Sequence, residues 1–139
     1  MRNKYIRMLV VAILAAMILV ACNQKEGEVN ENVETGDQEV IIAKAESLIS
    51  LLAEGEYEEA VKDFDEKMQK EAPPATLEEL WDTLLHHGGS FIDQELDSIE
   101  PKDGGYQLVY IKGLFEATEV TFLVSFDKDE QIVGFFVDE

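Results

Sequence analysis

The apolar period of this chain changes once, at Gly88-Gly89, and that change limits the folds open to it. Before the glycines, apolar residues recur at three- and four-residue steps; after them the step is two. The first spacing marks helices with one buried stripe, the second marks strands. Ile41, Ala45, Leu48, Ile49 and Leu52 predict a helix with Asp37 as its N-cap and Gly55 as its stop. Tyr57, Ala60, Val61, Phe64 and Met68 predict a second one, ended by Pro73-Pro74 because the residue before a proline leaves the helical region. Thr76-Leu-Glu-Glu79 reads as a capping box for a third helix running to about His87, with Leu77, Leu80, Trp81 and Leu84 turned inward.

Beyond the glycines, Ile92, Leu96 and Ile99 alternate loosely with Asp93, Glu95 and Asp97, which predicts a strand with an acidic outer comb. Pro101 to Gly105 is turn chemistry. Tyr106–Phe115, Glu119–Phe126 and Gln131–Val137 are rich in β-branched and aromatic residues and joined by short polar turns, so consecutive hairpins make an antiparallel sheet. Helices first and strands afterwards give an α+β domain: three N-terminal helices packed on a curved four-stranded antiparallel sheet, over residues 38–139.

The first 37 residues are of another kind. Arg2, Lys4 and Arg7 precede an apolar run from Met8 to Val20, the layout of a signal peptide over residues 1–21, and the run is short for a permanent membrane span. Leu19-Val-Ala-Cys22 resembles the lipobox of bacterial lipoproteins, in which the Cys thiol is acylated and the chain is cut before it. Cys22 is therefore the expected lipidation site, carrying palmitate-like acyl chains that anchor the protein to the membrane on its extracytoplasmic side, and two or three chains hold far more firmly than one. It is the only cysteine in 139 residues, which leaves no disulfide for the domain. Residues 22–37, with five acids and no apolar period, read as a flexible tether spanning roughly 20 Å. From Cys22 onward the chain has 8 Lys/Arg against 30 Asp/Glu, and a charge of −22 excludes nucleic acid as a partner, since binding phosphates needs clustered cations.

Gly55-x-Tyr57-x-x-Ala60-x-x-x-Phe64-Asp65, Leu80-Trp81, Gly89-x-Phe91, Val120-x-x-x-Val124-x-Phe126-Asp127 and Ile132-x-Gly134-Phe135 together resemble domain of unknown function family 3887, of the nuclear transport factor 2-like superfamily. The similarity runs from about Glu39 to Val137. It implies a cone, in which a curved sheet wraps a helix, and an accessory role in the cell envelope, since members occur in lipoproteins and beside α/β-hydrolase domains. The motifs are turns and core positions, and the family has no established catalytic residues to carry over. Glu130 departs from the pattern, which often has Gly in that hairpin.

Some members of the superfamily use the cone for acid–base chemistry, and His86, His87, Asp93, Tyr106 and Tyr110 are the groups that would serve. The histidines also suit the last turn of a helix, where a cationic imidazole complements the dipole. No phosphate loop, nucleophile elbow, metal-ligand spacing or cofactor motif is present in the sequence, so no catalytic residue, metal ligand or cofactor is assigned. The expected function is a non-catalytic binding or protein-interaction module, with a small isomerase- or dehydratase-like enzyme as the alternative. Two surfaces are open to that module. Trp81, Phe91, Tyr110, Phe122 and Phe126 would line the cone around an apolar small ligand, or pack it solid. Val109, Ile111, Val133 and Phe135 form one parity set of two strands that are apolar on both faces, and would meet a second copy or an envelope protein unless curvature and loops cover them. Replacing Cys22 with Ser is expected to release the protein from the membrane fraction, and intact-mass analysis of the wild type should give a mature chain that begins at an acylated Cys22.

Overall fold

The computed structural model describes the chain from Glu31 to Glu139, with side chains from Asp37 onward. The signal segment, Cys22 and the first part of the tether lie outside the described residues. Among the described residues, no helix is long and apolar enough to cross a membrane. Among the described residues four helices, α1 (Glu31–Glu54), α2 (Tyr57–Ala60), α3 (Glu66–Glu71) and α4 (Pro74–Gly88), precede four strands, β1 (Phe91–Lys102), β2 (Tyr106–Phe115), β3 (Glu119–Phe126) and β4 (Ile132–Asp138). The strands are antiparallel throughout and lie in the order β1-β2-β3-β4, an open meander. The domain is α+β, as the change of period predicts.

Helix α1 buries Ile41, Ala45, Leu48, Ile49 and Leu52, the stripe that its spacing defines. It starts at Glu31, so Asp37 is an interior residue rather than the N-cap. Two polar ties fix α1 to the sheet. The Gln94 amide of β1 donates to Glu46 O (3.0 Å) and Ser50 Oγ (2.8 Å), and Lys44 Nζ donates to Glu130 O (2.8 Å) in the β3–β4 turn, with Asp63 at 3.6 Å. That turn is closed by Asp127, whose carboxylate accepts from the N–H groups of Asp129 and Gln131, both at 2.9 Å. Glu130 sits at φ 57°, the left-handed conformation that explains why a glycine suits the position.

The expected second helix is broken. After α2 and a 3₁₀ turn at Val61–Asp63, Phe64 is extended (φ −75°, ψ 144°) and makes a parallel bridge to Ile132, beside which Asp65 N–H donates to Ile132 O at 3.0 Å. Asp65 then caps α3, its side chain accepting from Met68 N at 2.7 Å. An N-cap Asp restarts a helix, and the bridge rewards the interruption. Helix α4 opens at Pro74 with Pro73 as N-cap, so the Thr76–Glu79 capping box is not used; a proline at the first helical position loses no hydrogen bond.

Strand β1 carries irregularities at Phe91/Asp93 and Leu96/Ser98, which turn Phe91, Gln94, Leu96 and Ile99 to the helices and leave Ile92 63% exposed, against the expected inward Ile92. It also runs on through Pro101 to Lys102, a place open to proline only on an edge strand. The hairpin that follows β2 docks on the end of α4. Ala117 N–H donates to Gly88 O (2.8 Å), Glu116 N–H to Ser90 O (3.1 Å), and the Glu116 carboxylate accepts from Ser90 N at 2.9 Å.

Two outcomes follow. Glu130→Gly removes a left-handed non-glycine residue while keeping the carbonyl that Lys44 grips, and should raise stability by roughly 1 kcal/mol in denaturant unfolding. The Ser90 N–H beside Glu116 holds its carboxyl below the usual range. A group whose folded pKa is depressed contributes stability above its unfolded pKa and loses it as pH falls through the folded value. Glu116→Gln should therefore flatten the acid limb of the stability profile below the ordinary glutamate range and leave the neutral limb parallel to that of the wild type.

Candidate functional site

The sheet has two faces of unlike character. On the inner face Val109, Ile111 and Phe115 of β2 and Val120, Phe122, Val124 and Phe126 of β3 are buried against α1 and α4. Trp81, on α4, is 2% exposed and meets Phe91 (ring centroids 5.4 Å apart), Phe115 (5.7 Å) and Phe122 (6.2 Å). The Phe122 ring is also stacked on Phe135 at 5.8 Å. These separations are those of aromatic rings in contact. Of the five residues expected around a ligand, Trp81, Phe91 and Phe122 come together. Phe126 is fully buried at the far end of β3. Tyr110 stands on the opposite face of the sheet, its hydroxyl 3.4 Å from Glu100 Oε2, and is removed from the set.

The expected interface residues are corrected as well. Val109 and Ile111 are fully buried, Phe135 is half-buried against the core, and Val133 is the extra residue where β4 slips against Phe126 of β3. They are packing positions. The outward set of β2 is Leu108, Tyr110, Lys112 and Leu114, and the cross-strand partners Tyr110↔Leu123 and Leu123↔Phe136 extend it as one row over β2, β3 and β4. Tyr110 and Leu123 are half-buried and Phe136 is 63% exposed, an unusual position for a phenylalanine. The Phe136 ring lies beside Gly134, whose other neighbour on the same face is Ser125. Beside the row run the acids of β1, and Lys112 reaches Asp97 at 3.6 Å and Glu119 at 3.9 Å, exposed pairs that add little stability. The face is an apolar strip with an acidic border.

Lysine 112 is the signal that sequence reasoning passed over. It shares the parity of Tyr110 and Leu114 and so marks their face as the solvent side, whereas Gly113 shares the parity of Val109 and Ile111 and receives the Phe122 ring.

The titratable groups lie elsewhere. A shallow cleft of about 470 Å³ on the solvent side of α4 is lined by Glu78, Glu79, Asp82, Thr83, His86 and His87, with the two imidazoles 5.7 Å apart. His86 and His87 are exposed there, in the last turn of the helix and away from the buried Trp81. Asp93 and Tyr106 are exposed on β1 and at the start of β2, so the five groups weighed for acid–base work do not converge. Burial pushes the Tyr57 phenol up, the carboxylates of Asp82 and Glu78 adding to it, so it stays protonated at neutral pH. Among the described residues, no group of three or more His, Cys, Asp or Glu side chains is placed to hold a metal ion.

The fold defines an α+β domain with an antiparallel meander, and the sequence from residue 45 to residue 135 matches the family described as Protein of unknown function (DUF3887). The chain belongs to that family. Among curated proteins and among solved structures, none matches it. Gly113→Ala would put a methyl group into the Phe122 ring, which is held from both sides, and should lower stability by about 3 kcal/mol in thermal or denaturant unfolding.

Proposed function

We propose that this is a lipid-anchored lipoprotein of the cell envelope, tethered through Cys22, whose domain is a non-catalytic protein-interaction module. The observation that carries the interaction reading is the row Tyr110–Leu123–Phe136, an apolar strip on the face of the sheet that α1 and α4 leave free. An antiparallel sheet with one free face ordinarily makes it polar, and a contiguous apolar strip rimmed by charge is the pattern of an association surface. A second copy or another envelope protein meets that need. Membrane anchoring suits it, because confinement to a surface raises the local concentration of partners and lets a modest interface suffice.

The finer fold assignment belongs to the same reading: helices on the concave side of a bent sheet would be the nuclear transport factor 2-like cone, filled here by Trp81, Phe91, Phe115 and Phe122. An apolar ligand would have to displace these rings, so the outer strip is favoured over the interior as the working surface. The alternative, a small isomerase- or dehydratase-like enzyme, would use the histidines and carboxylates of the α4 cleft.

A photo-crosslinking side chain at position 123, in intact membranes, should give one defined adduct of the full chain. Tyr110→Lys with Phe136→Lys should abolish the adduct and leave the melting temperature within a few degrees of the wild type, whereas Val109→Lys should unfold the domain. No adduct from position 123 under any condition would overturn the reading.

A further inference from the structure

The two edges of the sheet are built differently. Edge β1 has two register irregularities, Pro101, and the acids Asp93, Glu95, Asp97 and Glu100, the devices by which proteins keep other strands from pairing with them. Edge β4 has a single slip, at Val133, and from Ile132 to Val137 it reads Ile-Val-Gly-Phe-Phe-Val with no proline and no charge. Every second residue of an antiparallel edge strand turns its N–H and C=O away from its neighbour. Along this outer row the Phe64–Asp65 segment takes one position, the parallel bridge at Ile132. Among the described residues, no hydrogen bond is made to the row from Val133 to Asp138. Beside that stretch lies a groove of about 220 Å³, walled by Met68, Glu71 and Ala72 on one side and Val133 to Phe136 on the other.

We propose that the β4 edge is a strand-addition site, and that its occupant is an extended segment of a partner protein with alternating apolar residues and flanking Lys or Arg. A row of unpaired backbone donors and acceptors at strand spacing is complementary to another extended chain and to little else, and the groove takes the side chains that the added strand turns toward α3. Phe64 already occupies the first position of such a strand. Its chain then leaves the edge because Asp65 starts α3, and the place it vacates is the one the partner takes. Charge sets the flanks. Glu71 in the groove wall and Asp138 at the end of β4 are the acids here, and the Lys67–Glu71 contact of 3.8 Å, between side chains 80% and 61% exposed, does not neutralise the wall. With the chain at −22 from Cys22 onward, a second copy is repelled where a basic segment is attracted. The inference rests on reading the domain as an interaction module but uses the backbone edge of β4, which adjoins the Tyr110–Leu123–Phe136 strip and shares only Phe136 with it.

The test uses the full chain in detergent micelles and three synthetic peptides: KVTVTVK, the same sequence with alternate backbone nitrogens methylated, and EVTVTVE. KVTVTVK should bind and shift the amide resonances of Val133 to Asp138. The methylated form keeps every side chain and loses the strand's donors, so its affinity should fall at least tenfold, and EVTVTVE should bind at least tenfold more weakly than KVTVTVK. Glu71→Lys, an exposed substitution, should narrow or reverse that preference without changing the fold. Equal binding of the methylated peptide, shifts confined to Tyr110 and Leu123, or no binding at millimolar peptide would overturn the edge assignment and leave the crosslink at position 123 unaffected. A dimer of the chain that KVTVTVK splits would put a second copy on the edge and overturn the basic partner.

Discussion

The edge of the Phe122 ring fills the space where Gly113 lacks a Cβ, and the ring is stacked on Trp81 of α4 and on Phe135 of β4; most of the remaining architecture depends on that placement. A ring edge can come this close to the backbone of the neighbouring strand only where the residue there has no Cβ. Gly113 supplies that space at the middle of the sheet. The sandwich decides which parity of β2 and β3 faces the helices, and with it which apolar set is core. It also sets the position of α4, since Trp81 must stack on Phe122 while Phe91 and Phe115 close its edges. Each aromatic pair contributes about 0.5–1.5 kcal/mol beyond the burial of its area, which is a large share of the net stability of a domain this small.

What could be read from the sequence follows from how local each determinant is. The stripe of α1 and the turns around Gly104-Gly105 and Asp127 are fixed by neighbours a few residues away, and they were legible. The break at Phe64 was not, because its reward is a bridge to Ile132 and a hydrogen bond from Asp65, contacts made with a strand that the helical period knows nothing about. Asp65 was the one local sign, a good N-cap in the middle of an apparent helix. The outward turn of Ile92 escaped for a similar reason: a register slip moves side chains from one face to the other without leaving a mark in composition. The two apolar faces of β2 were recognised as a pair, and the assignment between them failed for want of weight on one lysine.

Charge has a part in the division of labour between surfaces. The 25 acids of residues 38–139 would repel one another in any compact arrangement, and the domain keeps every one of them out of the core. Two lysines tie elements or strands together: Lys44 joins α1 to the last hairpin turn, and Lys112 joins β1 to β3 across β2. Long-range repulsion of anionic partners then comes with the composition, and selects basic or neutral surfaces at the encounter stage.

The Lys44–Glu130 tie links residues 86 apart in sequence, whereas each strand of the meander pairs with the one just before or after it. Loop-closure entropy makes such pairings unequal in kinetics. Hairpins β1–β2, β2–β3 and β3–β4 can zip in turn from short turns, each at small entropic cost, while α1 must wait for the β3–β4 turn to exist before it has a carbonyl to grip. Folding is thereby ordered by topology, with the sheet as template and the first helix docking late. The same sequence in reverse makes α1 the first element to loosen under stress, exposing the inner face of the sheet while its ladders are still intact.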